Sequence, residues 1–67
     1  MAVARVTELT ASSKESFEAA VKEGIARAAQ TLRNIKGARV EEQKVKVEDG
    51  RVTEYRVTMK VTFVIDD

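Results

Sequence analysis

Sixty-seven residues carrying twelve Lys plus Arg against eleven Asp plus Glu, with no Cys, His, Trp or Pro, make a single domain (1–67) of formal charge +1. This composition excludes a disulfide framework, thiolate and imidazole catalysis and the usual zinc ligand sets, and its interspersed charges form no basic stripe for nucleic acid. In so small a domain apolar burial and ordering entropy nearly cancel, so self-assembly is the expected source of further stability. There is no apolar run long enough for a membrane span, and MAVARVTELT lacks the apolar region of a signal peptide. A cytoplasmic protein with no membrane partner is expected.

Val3 to Thr10 reads as a first strand with poor alternation: Val3 and Leu9 fall on one side, Ala4 and Val6 on the other. Thr10-Ala11-Ser12-Ser13 is expected to stop it, and Ser12-x-x-Glu15 has capping-box spacing. A helix is therefore predicted from about Ser13 to Asn34, with Phe17, Val21, Ile25, Ala28, Leu32 and Ile35 along one apolar stripe. Gly24 lies on that stripe, where a close approach of helix to sheet would account for a residue that costs about 1 kcal/mol in a helix interior. Gly37 is predicted to end the helix as its left-handed residue.

Ala38 to Glu48 is the second strand, and its apolar parity changes between Val40 and Val45. An inserted residue, a β-bulge near Glu41 to Lys44, would return Ala38, Val40, Val45 and Val47 to one buried face. Asp49-Gly50 signals a tight hairpin into the third strand. From Val52 to Ile65 that strand alternates strictly, with Tyr55, Val57, Met59, Val61, Phe63 and Ile65 apolar and Glu54, Arg56, Thr58, Lys60 and Thr62 polar. At about 3.3 Å per residue it would run roughly 46 Å, so it must curve or project into a partner. A right-handed crossover puts the third strand between the other two, antiparallel to both. The fold class is α+β, a β-α-β-β protomer with a three-stranded antiparallel sheet curled around one helix.

Catalytic signals are sparse. Ser12 and Ser13 precede a helix and read as caps, Glu41 and Glu42 should point to opposite faces of a strand, and Asp66-Asp67 reads as a solubilising end. No phosphate-binding glycine loop is present. The chain is not expected to be an enzyme.

Glu8-Leu9-Thr10-Ala11-Ser12-Ser13, then Ser16-Phe17-Glu18-Ala19-Ala20, Ile25-Ala26-Arg27-Ala28 with Thr31-Leu32-Arg33, and finally Tyr55 to Phe63 follow one another as in the dodecins, and the chain resembles that family over nearly its whole length. The resemblance implies twelve protomers closed into a hollow homododecamer that sequesters riboflavin or FMN as stacked pairs between subunits, with coenzyme A bound by some members. It implies storage rather than turnover. Flavin-binding members carry a stacking tryptophan where this chain has Gly37, and a glutamine where it has Arg56. With Arg39 and Gln43, these are the cofactor-site positions that the resemblance marks. Arg39 and Arg56 would favour a phosphorylated ligand such as FMN or coenzyme A, the guanidinium stacking on a flat ring or donating paired hydrogen bonds. The plainer alternative for both is a salt bridge across a subunit boundary. A shell that has lost flavin and holds coenzyme A, divalent cations or nothing is the competing expectation.

Overall fold

The computed structural model describes residues 3–65 and contains β1 (Val3–Ser13), α1 (Phe17–Ala28), β2 (Ile35–Glu48) and β3 (Arg51–Ile65). Asp66-Asp67 lies outside the described residues. The strands form one sheet in the order β1-β3-β2, with β3 antiparallel to both neighbours, as the crossover rule requires. The period of two in β3 sorts its side chains: Val57, Met59 and Val61 are fully buried, whereas Arg56 and Lys60 on the other face are exposed.

The helix covers β1 and β3 only. Its most buried positions are Ala20, Gly24 and Ala28, a ridge of small residues at steps of four, while Phe17, Val21 and Ile25 flank it half-buried. The small ridge lets the helix sit low on the sheet. A Cβ at Gly24 would lie 2.6 Å from Met59 Cε and 2.9 Å from Ala11 Cβ, which bears out the close approach expected there. Phe17 closes the N-terminal end by meeting Tyr55 edge to face, with ring centres 5.1 Å apart.

The helix boundaries differ from those predicted. β1 continues to Ser13 because Tyr55 and Arg56 of β3 offer it ladder partners, and this pairing overrides the local stop signal. The cap is then Ser16, whose Oγ accepts from Ala19 N at 2.9 Å, while Ser13 Oγ accepts from Glu15 N in a turn of its own. At the other end the helix stops at Ala28. Thr31 N and Leu32 N both donate to Ala28 O, at 3.1 and 2.9 Å, and Asn34 takes the left-handed conformation at φ 60. Asn34 O then accepts from Val64 N, stitching the loop to the end of β3. Gly37 is not the helix terminator; it lies in β2, paired with Thr62.

The bulge falls where it was expected: Val40 pairs with Met59 and Glu42 with Thr58, leaving Glu41 as the extra residue. A second shift between Lys46 and Val47 pairs Val47 with Val52 and leaves Thr53 of β3 as the extra residue, so Val45 and Val47 stay on one side of β2, as expected. That side is nonetheless not buried within the protomer. Val40, Val45 and Val47 are 40%, 44% and 56% exposed because the helix does not reach over this strand. Asp49 and Gly50 form the hairpin turn with φ of 51 and 75, the pair of positive values that a type I′ turn needs. The hairpin projects beyond the helix, and the protomer extends 52 × 19 × 13 Å with a radius of gyration of 13.8 Å, against about 11 Å for a compact domain of this length.

Candidate functional site

Strand register places the marked residues. Gly37 pairs with Thr62 and Arg39 with Lys60, so with Arg56 they occupy the face of β3 turned away from the helix. Gln43 pairs with Val57, whose side chain is in the core, and therefore belongs to the opposite, helix-side face. Along β3 the level of Gly37 lies six residues from Arg56, about 20 Å, and that of Arg39 four residues away, about 13 Å. These four residues do not form one patch within a protomer. A hollow of about 400 Å³ between β1 and α1, lined by Leu9, Ala11, Gly24 and Ala28 among others, contains none of them.

Unassigned by sequence are the partners that fill the open face. Arg39 Nε donates to Glu41 Oε2 at 2.7 Å, and Lys60 Nζ approaches the other oxygen of the same carboxylate at 3.6 Å. Glu54 Oε2 receives Arg56 at 2.9 Å from one terminal nitrogen and 3.1 Å from Nε. Lys44 meets Glu42 at 3.6 Å, and Glu8 of β1 stands opposite Lys60. Glu41 and Glu42 thus share this face instead of pointing apart, because the bulge breaks the alternation between them. The signal that identifies these partners is Glu-x-Arg or Arg-x-Glu within one strand, where residues two apart stand side by side.

Both arginine partners are perturbed carboxylates. The hydrogen bond from Arg39 holds the Glu41 carboxyl below its ordinary range, partial burial pushes it the other way, and the charges of Arg39 and Lys60 add to the lowering. The hydrogen bond from Arg56 lowers Glu54 in the same manner, with the nearby Ser12 hydroxyl adding to it. Ser12 stands opposite Arg56 on β1 and does not cap the helix. Between the charged rows, Thr10 and Thr58 hydroxyls lie 3.3 Å apart, and at the far end Gly37 leaves open space where a Cβ would stand. The result is an open polar sheet face, bare at Gly37 and ion-paired at its centre.

A helix pressed on one side of a twisted antiparallel sheet, with the other side open and a hairpin reaching past the body, defines a class of small α+β subunits whose working face is a sheet surface. The family model for dodecin matches residues 3–66. The dodecin of Thermus thermophilus is 34% identical over 65 residues, 97% of this chain and 94% of the relative. The solved dodecin of Streptomyces davaonensis superposes with a TM-score of 0.94 at 38% identity, covering 98% of this chain and 97% of the other. A calcium dodecin from Mycobacterium tuberculosis, described as a calcium-chelating antigen with a novel calcium-binding site, superposes at 0.82 with 32% identity over 96% of this chain and 91% of its own. The chain belongs to the dodecin family.

Proposed function

We propose that this chain is a dodecin-type flavin-binding and storage subunit that acts without catalysis, in the cytoplasm, as a homododecamer. The observation that carries the reading is the full-length family match together with an open sheet face that one protomer leaves without a second wall. Gly37 and Arg56 lie too far apart for one ring system, so a flavin on this face is held between copies, with Gln43 contributed from another subunit. No helix among the described residues is long and apolar enough to cross a membrane.

Titrating riboflavin and FMN with the purified protein tests the proposal. Fluorescence quenching that saturates at low micromolar protein is expected, and a flat titration overturns the flavin reading. Gly37→Trp should tighten the complex, because the ring restores aromatic stacking worth about 0.5 to 1.5 kcal/mol beyond its buried area. The mycobacterial relative favours divalent-cation binding as the second reading. Among the described residues no group of three or more acidic ligands converges within one protomer, so such a site would combine carboxylates from several subunits. Saturable calcium binding by the flavin-free assembly would favour it over coenzyme A or an empty scaffold.

A further inference from the structure

The arginines on the open face are already ion-paired. Glu41 and Glu54 have side chains only 25% exposed, whereas their partners Arg39 and Arg56 are 82% and 51% exposed. In each pair the carboxylate is the part held down by the sheet, and the guanidinium leans on it from outside. Around them, Arg39, Lys44, Lys46, Arg56 and Lys60 face Glu8, Glu41, Glu42, Glu48 and Glu54, five cations against five carboxylates. Such a surface offers a phosphate no net attraction.

A phosphate ester brings about −1.5 to −2 charges at neutral pH and binds best where arginine donors are free to fork onto its oxygens. Here a phosphate must share each guanidinium with a resident carboxylate, which stays beside it and repels it. A neutral flat ring meets neither obstacle. It can lie over Gly37 and Thr62, at the end of the face beyond the Arg39–Glu41–Lys60 cluster, while the ion pairs stay intact. We infer that Glu41 and Glu54 determine ligand specificity on this face: as resident counter-anions they hold Arg39 and Arg56 and select an uncharged ring ligand over its phosphorylated form. They act through the arginines and are positioning residues. The inference rests on the flavin reading for its natural ligand, but not for its chemistry, which inorganic phosphate probes directly.

The test uses the assembled protein and its Glu41→Gln and Glu54→Gln variants, with Glu41→Asp as the variant that keeps the charge. Each is titrated with riboflavin, FMN and inorganic phosphate at low and high salt. In the parent, riboflavin binds at least as tightly as FMN. In either Gln variant the ratio of FMN to riboflavin affinity rises roughly three- to ten-fold, and the gain shrinks as salt is added, whereas Glu41→Asp keeps the parental ratio. General structural damage would weaken both flavins and leave the ratio in place. An unchanged ratio in both Gln variants overturns the inference while the flavin reading stands. If neither flavin binds, that reading falls and the phosphate titration decides: tighter phosphate binding by the Gln variants supports the inference, and equal binding refutes it.

Discussion

Gly24 shows how one position links the helix to the sheet. Alanine there would gain about 1 kcal/mol of helix propensity, yet its methyl group would meet Ala11 Cβ at 2.9 Å, an atom tied to its strand that cannot swing aside. Leu has no comparable escape. Gly24→Leu should cost about 1 to 3 kcal/mol per subunit from overpacking, seen as a lower melting temperature and weaker assembly, and melting like the parent would contradict this packing. Glu41 and Glu54 make a separate prediction about acidity. Because their folded pKa values lie below the ordinary 4.5, their ion pairs contribute fully above that pH, and the contribution fades as pH falls through the depressed folded values. Carbon-detected titration of the two carboxyls should give midpoints below 4.5; midpoints at or above it would mean that the arginines do not hold them in solution.

At the scale of elements, the hairpin and the bulge were foreseeable because each rests on a local rule. Asp49-Gly50 suits positive φ at two successive residues, and the parity change from Val40 to Val45 demands an odd insertion. Gly50→Val places a β-branched residue at φ 75 and should destabilise the hairpin by about 1 to 2 kcal/mol, measurable as a drop in denaturation midpoint; no loss would exclude this turn. The ends of the helix were less accessible to sequence reasoning. Ser12-Ser13 carries a capping pattern, but the choice of Ser16 depends on β3 extending β1 to Ser13, and the stop at Ala28 depends on Asn34 docking on Val64. Both are long-range contacts that no short window contains. The ion pairs of the candidate face were legible only in part: Arg39-x-Glu41 and Glu54-x-Arg56 are local patterns, whereas Lys60 reaches Glu41 through strand pairing and Glu42 joins this face only through the bulge.

For the whole molecule, the length of β3 implied that it curves or projects into a partner, and the protomer extends 52 Å along one axis. Val45, Val47 and Val52 on the projecting arm stay exposed, an arrangement that suits burial against neighbouring copies better than a solitary existence. Val45→Glu should leave the protomer's circular dichroism unchanged but lower the native mass from the proposed twelve protomers to small species. An unaltered mass would place the subunit contacts elsewhere. Until copies meet, β2 is an uncovered edge of fourteen residues whose free amides and carbonyls invite any extended chain to add on. The kink at Glu41 and the run Glu41-Glu42-Gln43-Lys44 interrupt that edge, so a newly made chain carries its own guard against fibrous stacking.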